Sequence, residues 1–555
     1  MRDLTKLAAP STKAQLADPL LAAALLLAFL FCLQGITWGR VEDWNRSSIA
    51  MRSLRALRPS DYMKPPFHTY FNHVLVVWPI DGVMKIAQVP KERMKISNSA
   101  KLIGSRLVTI ALYLGTIALA YSFSRRSYGR FSAAIIAFAF ATSAGFVAYA
   151  HFLTADMPLL FWMLAAFWAV HWLVSAPTTR NYAIAGFLIG IATATKYNGL
   201  AVGIAFLVAH FFATKGESFR RIILSRQLGI GLGMVLLGFY FGCPTAPYEP
   251  KRFWNDFIYN YTVTPRYSGQ PDRANHLAAL GRIPEIVGIP GAILSCILIL
   301  KRRDLSDAAT RGFTLSSVVF LLYILKIGTF PRTETRYVLP AIPFLILMIG
   351  PALQTFERRK WILALLVPVL IYNCICSYLV GKRFNNDPRL EAQLWMVKNV
   401  PQGSVVESSG TCPHWSSLPN FDAHEIHLGR TDDPIPPARD ITDLRLPHMP
   451  GRVELFREVF PDWVQPLVAE KEGHADPRLF TAAALANRNP DYLAIYSADY
   501  NVPDKTVRRY YGDFLTGKFP YAIVFDRSTP RAPEWIYPRT IDSLRGRITI
   551  LQRKS

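Results

Sequence analysis

The stretch HFLTADMPLL, residues 151–160, carries a carboxylate in apolar surroundings. Residues 131–155 and 157–179 contain no Asp, Glu, Lys or Arg, so Asp156 is the only formal charge in a run long enough for two membrane crossings. At the centre of a bilayer such a group costs on the order of 3 kcal/mol or more. A short turn would place it instead at the outer water interface, at the start of the next helix. There the helix dipole favours it by roughly 0.3–1 kcal/mol. An ordinary helix-start carboxylate is the plain alternative to a reactive one. A second acidic site follows the first apolar run: Glu42 and Asp43 in VEDWN, residues 41–45.

Cations lie near these acids along the chain. Lys64 in DYMKPPFHTYF (61–71) sits in a segment stiffened by Pro65 and Pro66. It suits a phosphate contact, as it would also suit snorkelling to the membrane surface. Lys196 in TATKYNG (193–199) interrupts an apolar stretch, and FPRTETRYVLPAIPF (330–344) places Arg336 and Tyr337 at the mouth of a later helix. The aromatic-rich loop 244–283 adds Arg266 and Arg273. In SSIAMRSLRALR (47–58), Arg52, Arg55 and Arg58 share one spacing and Leu54 and Leu57 another, the pattern of an interfacial amphipathic helix. Cations neutralise a phosphate and a carboxylate accepts a proton. A reaction on an anionic lipid headgroup needs that mixture.

The elements that must position these groups are helices. Hydrophobic residues make up 51% of the 555-residue chain and charged residues 18%. Uncharged runs at 19–39, 227–248, 338–356 and 361–381 approach or exceed the roughly 20 residues that cross a bilayer. The reading is a polytopic α-helical membrane protein of about eleven crossings. They fall near 19–39, 102–123, 131–150, 157–175, 182–195, 198–213, 227–243, 284–300, 313–327, 338–356 and 361–381. The first run, preceded by Lys6 and Lys13, is taken as a retained helix that also targets the chain. Arg106, inside the second run, fits this scheme poorly.

With the N-terminus cytoplasmic, the inner loops 124–130, 176–180, 214–226, 301–312 and 357–360 all carry Lys or Arg, the positive-inside pattern. The outer side then holds loop 40–101, the Asp156 turn, loop 244–283 and everything after residue 381. Residues 1–381 are read as the membrane domain. Residues 382–555, with strand-like SVVESS (404–409), DYLAIY (491–496), PYAIVFD (520–526) and RITILQR (547–553), are read as an extracytoplasmic α/β domain. The formal charge of +23 is assigned to cytoplasmic loops, lipid headgroups and a phosphorylated substrate rather than to nucleic acid. Five of the six cysteines lie in or at the end of apolar runs, which argues against a disulfide framework. Cys412, His414, His424 and His427 are close in sequence but lack zincin spacing, and read as surface loop residues. His151 and His171 read as helix-packing residues.

In order along the chain stand VEDWN, the KPP segment, a TAD-P turn (Thr154, Ala155, Asp156, Pro158), Gly186, Gly190 and Lys196 in a G-x-x-x-G-x-x-x-x-x-K stretch, RYVLP, and a DPR–Trp–PQGS segment at 387–404. This series resembles the GT-C membrane glycosyltransferases of the protein O-mannosyltransferase and aminoarabinose transferase type, whose bacterial branch includes lipopolysaccharide galacturonosyl transferases. The resemblance spans most of the chain and implies a GT-C fold in a bacterial inner membrane, with a periplasmic C-terminal domain. It implies an inverting enzyme that takes sugar from a polyprenyl-phosphate donor and gives it to lipid A, another envelope glycan or a protein. It assigns the catalytic base to the first outer loop and gives Asp156 a part in arranging the site. Lys64 and Tyr337 match positions associated with the donor phosphate, with Arg336 alongside. The family shows Asp-Glu where this chain has Glu42-Asp43, and Asp43 is preferred as base. No nucleotide site is required, and no Gly-rich phosphate loop occurs. A divalent ion beside Asp43 and Asp156 is left open. A secondary transporter or lipid flippase is the competing expectation, and a non-catalytic membrane partner a third; a transporter would show inverted repeats, and none is evident.

Overall fold

The computed structural model describes residues 18–38, 67–88, 94–244, 246–262, 275–300, 307–330, 333–356, 361–401, 404, 406–408, 480–496, 505–528 and 546–554. Among these, six helices are long and apolar enough to cross a membrane, and up to eight if each of two bent pairs forms one span. Helices Pro19–Leu33 and Thr179–Thr195 are apolar but only 15 and 17 residues long. The architecture is that of a helical membrane protein.

Helix starts follow local chemistry. Asp18 precedes Pro19 and its side chain accepts a hydrogen bond from the Leu20 amide at 3.0 Å. The same carboxylate takes the Tyr121 hydroxyl at 2.6 Å, Arg130 Nε at 2.8 Å and Arg125. Arg130 first, then Tyr121, the Leu20 amide and Arg125, hold its carboxyl well below the usual carboxylate range despite burial. A depressed folded value means that Asp18 stabilises the fold above the unfolded carboxylate pKa of about 3.9, and that this contribution fades as pH falls through the folded value. Asp18→Asn is therefore expected to lower the unfolding temperature by a constant amount above about pH 5 and by progressively less in more acid buffer. Melting curves across pH test this, and a gap that widened on acidification would contradict it.

Two stretches read as single helices are broken. Arg130–Ala141 and Ala144–Ala150 meet at 53°, and His276–Val287 and Ile289–Leu300 at 110°. In the first, Thr142 Oγ1 donates back to the Phe138 carbonyl at 2.8 Å, and Ser143 Oγ donates across to the Ile286 carbonyl at 2.7 Å. In the second, Gly288 has φ +78°, and a Cβ there would come within 2.3 Å of Asn373 Oδ1. The two bends thus pack together through Ser143 and Ile286, and they set the position of Glu285.

Helices Thr179–Thr195 and Arg226–Gly242 touch backbone to backbone. A Cβ on Gly186 would sit 2.1 Å from the Gly231 carbonyl oxygen, and one on Gly190 would sit 2.3 Å from that of Val235. Small residues permit this approach, which drives helix association in lipid. Gly190→Val is expected to cost at least the ~1–3 kcal/mol of ordinary overpacking, because backbone cannot give way as a side chain can. The check is recovery of monodisperse protein from membranes.

Beyond the last span, helix Pro388–Asn399 leads to a sheet that, among the described residues, has four strands in the order β1-β2-β4-β3, formed by Val406–Ser408, Tyr492–Tyr496, Tyr521–Ser528 and Arg547–Arg553 as β1 to β4. β1 runs parallel to β2; the other pairs are antiparallel. Alternation along β2 sends Leu493 and Ile495 to one face, against Tyr511 and Phe514 of helix Lys505–Leu515. Tyr492 and Ala494 go to the other, against Ala392 and Met396.

Candidate functional site

Asp156 begins helix Asp156–Ser175, and the chain around it buries it to 3% exposure. The expected water-facing position is therefore corrected: the carboxylate is covered by protein and paired. Its partner is Lys196, which ends helix Thr179–Thr195 in an extended conformation and sends Nζ to Asp156 Oδ1 at 2.5 Å. The 3-10 turn Tyr197–Ala201 follows at once, closed by the Gly199 amide donating to the Lys196 carbonyl at 2.8 Å. An isolated buried carboxylate is costly, and a charged partner at hydrogen-bond distance offsets that cost.

Tyr337 joins the pair. Its ring lies 5.8 Å from the Lys196 ammonium and 5.1 Å from the Arg336 guanidinium. Arg336 also pairs with Glu334. The preceding residue anchors this segment: Thr335 Oγ1 donates to Glu285 Oε2 at 2.5 Å, and Arg282 Nη1 donates to Glu285 Oε1 at 2.7 Å. The bend at Gly288 thus holds Arg336 and Tyr337 through Glu285. Opposite, Asn198 Nδ2 donates to the Tyr323 hydroxyl at 2.8 Å. His68 is buried near the Asp156 charge; burial pushes its imidazole down to about 4, while Asp156 pulls the other way.

Asp156, Lys196, Arg336 and Tyr337 are thus brought together from three helix ends. Glu42, Asp43, Lys64, Arg266 and Arg273 lie outside the described residues, as do the arginines of 47–58 and the Cys412–His427 cluster. Among the described residues, no three His, Cys, Asp or Glu side chains gather as a metal site.

Arg106, the misfit of the sequence reading, has a structural task. Its Nε donates to the His151 carbonyl at 2.8 Å and its Nη1 to the Ile36 and Trp38 carbonyls at 2.5 Å each. His151 Nε2 meets the Gln34 carbonyl at 2.8 Å, and the Trp38 indole donates to Asp387 Oδ2 at 3.0 Å. This knot ties the turn after the first helix, whose Trp38 stands five residues before Asp43 in sequence, to the turn that leads to Asp156. Arg106, Glu285, Asn198 and Tyr323 carry no motif. Only Arg106 was marked in the sequence, by its charge inside an apolar run.

Residues 91–241 match the family described as dolichyl-phosphate-mannose-protein mannosyltransferase. No curated protein matches the sequence. Among solved structures, ArnT from Cupriavidus metallidurans bound to undecaprenyl phosphate aligns at 14% identity over 96% of this chain and 97% of that one, TM-score 0.46. The Archaeoglobus fulgidus oligosaccharyltransferase aligns at 14% identity over 69% and 56%, TM-score 0.40. The S. cerevisiae protein O-mannosyltransferase Pmt1-Pmt2 complex aligns at 18% over 40% and 33%, TM-score 0.30. The class that emerges is a membrane glycosyltransferase. The particular resemblance within it, carried by residues 91–241, is to the mannosyltransferase type that takes its sugar from a lipid phosphate.

Proposed function

We propose that this chain is an inverting glycosyltransferase that moves a sugar from a polyprenyl-phosphate donor to lipid A, another envelope glycan or a protein on the outer face of a bacterial inner membrane. The observation that carries this reading is the pairing of buried Asp156 with Lys196 beside Arg336 and Tyr337. The matched family's description, with its dolichyl-phosphate-linked sugar, supports the donor class. In this reading the chain makes about eleven crossings, its Lys- and Arg-bearing loops and N-terminus are cytoplasmic, and residues 382–555 form a periplasmic α/β domain.

In this reading Asp43 or its neighbour Glu42 takes the proton from an acceptor hydroxyl. The freed oxygen attacks the anomeric carbon from the face opposite the phosphate, and the configuration inverts. The bond to the polyprenyl phosphate breaks and that group leaves as an anion. Lys64, Arg266 and Arg336 stabilise its charge, with Tyr337 as hydrogen-bond donor. Lys196 neutralises Asp156 and fixes its place, and the prenyl tail lies between helices. The test uses purified protein with labelled polyprenyl-phosphate sugar and lipid or protein acceptors. Asp43→Asn is expected to lower transfer by about 10²–10⁴-fold, the usual share of a general base. Undiminished transfer by both Asp43→Asn and Asp156→Asn would exclude this site.

A further inference from the structure

The short helix Phe67–Asn72, directly after Pro65 and Pro66, is wedged into the site. The Phe67 and Phe71 rings stand edge-on to Trp162, at 5.7 and 6.5 Å, on the helix that Asp156 begins. Phe67 also occupies the space left by Gly242, where an added Cβ would meet Phe67 Cδ2 at 3.2 Å and Ala194 Cβ at 2.5 Å. Ala194 lies two residues before Lys196. The helix is therefore held between the segments that supply the two charges of the ion pair.

Its buried polar side chains are His68 and Asn72, one turn apart and 5% and 4% exposed. Asn72 Nδ2 donates to His68 Nε2 at 3.0 Å. With Nε2 accepting, the proton of the neutral ring lies on Nδ1. That Nδ1–H donor and the Asn72 Oδ1 acceptor are both buried and have no partner among the described residues. Buried polar groups are nearly always hydrogen-bonded. These two unpaired atoms are adjacent and lie within electrostatic reach of Asp156.

We infer that His68 and Asn72 bind two neighbouring hydroxyls of the donor's sugar, Nδ1–H donating to one oxygen and Oδ1 accepting from the other hydroxyl. The inference rests on the polyprenyl-phosphate reading and names the side chains that recognise its sugar. A phosphate does not suit the pair, because the Oδ1 acceptor would face its anionic oxygens. A hydroxyl both gives and accepts, and a vicinal diol satisfies both atoms at once.

The experiment compares binding of undecaprenyl phosphate with undecaprenyl phosphate carrying mannose, glucose or galacturonate, using the full chain in nanodiscs. Wild type is expected to bind at least one glycosylated lipid about tenfold or more tightly than the bare lipid, since a buried hydrogen-bonding site rejects ligands that leave it unpaired. His68→Gln keeps a group at the Nε2 position and removes the Nδ1 donor; Asn72→Leu removes the acceptor. Each is expected to bring that ratio close to one while leaving affinity for the bare lipid unchanged. His68→Asn, with an amide nitrogen near the Nδ1 position, is expected to keep part of the preference and serves as the folding control. A wild-type ratio retained by His68→Gln and Asn72→Leu overturns the inference. So does a wild type that binds bare lipid and prefers no glycosylated form, and the donor reading then stands. A wild type that binds none of the lipids overturns both.

Discussion

Lys196→Met is expected to lower sugar transfer by about 10²–10³-fold, and Asp156→Asn by a similar factor. The size follows from burial. Removing one partner of a buried ion pair costs about 3–5 kcal/mol, because the other charge stays behind uncompensated. If that penalty falls on the assembled site, it reads as a rate factor of this order. Asp156 is 3% exposed and its Oδ1 is 2.5 Å from Lys196 Nζ, so water cannot readily reach the carboxylate, although the Lys196 side chain is 24% exposed. The double variant removes both charges and should be no worse than the poorer single one. Initial rates for the four proteins, with unfolding temperatures alongside, complete the cycle. Purely additive losses would mean that the two side chains act separately, and the site would have to be redrawn around Arg336 and Tyr337.

That pair also marks what could be read from the chain in advance. Asp156 and Lys196 were each visible as lone charges in apolar stretches, because a charge in such a run is expensive and needs a reason. Their partnership was not visible: they are forty residues apart, and only the extended turn at Lys196 brings the ammonium round. Apolar runs located the helices, and period-two patterning located the stretches that pair as β1 to β4. The bends at Ser143 and Gly288 stayed hidden, since a serine or a glycine inside a long apolar run is compatible with an unbroken membrane helix. Their effect depends on bonds to distant backbone, Ser143 to Ile286 above all. Glu285 was overlooked for the same reason. Nothing in RIPEIVG announces that its carboxylate will hold Thr335, and with it the segment bearing Arg336 and Tyr337.

Arg106→Met should destabilise the protein by roughly 3 kcal/mol or more, and its activity should fall with its stability. The guanidinium is fully buried and serves three carbonyls at once, those of Ile36, Trp38 and His151. Methionine fills the space and donates nothing. Each buried carbonyl left without a donor costs about 1–3 kcal/mol, more than the net worth of the bond when it is made. Arg106→Lys should recover only a small part of the loss. A single ammonium cannot span acceptors that the planar fork reaches from Nε and Nη1 together. His151→Phe is the contrast: it keeps an aromatic ring to stack on Phe384, now 4.2 Å from the imidazole, and loses the contacts with the Gln34 and Val147 carbonyls, to only one of which a neutral ring donates. Its cost should be nearer 1 kcal/mol. The ordering Met, then Lys, then Phe in unfolding temperature is what the knot requires. Because the knot joins the chain leading to Asp43 with the turn leading to Asp156, transfer rates should follow the same order. Rates that collapsed in Arg106→Lys while its unfolding temperature held would instead place Arg106 in direct contact with substrate.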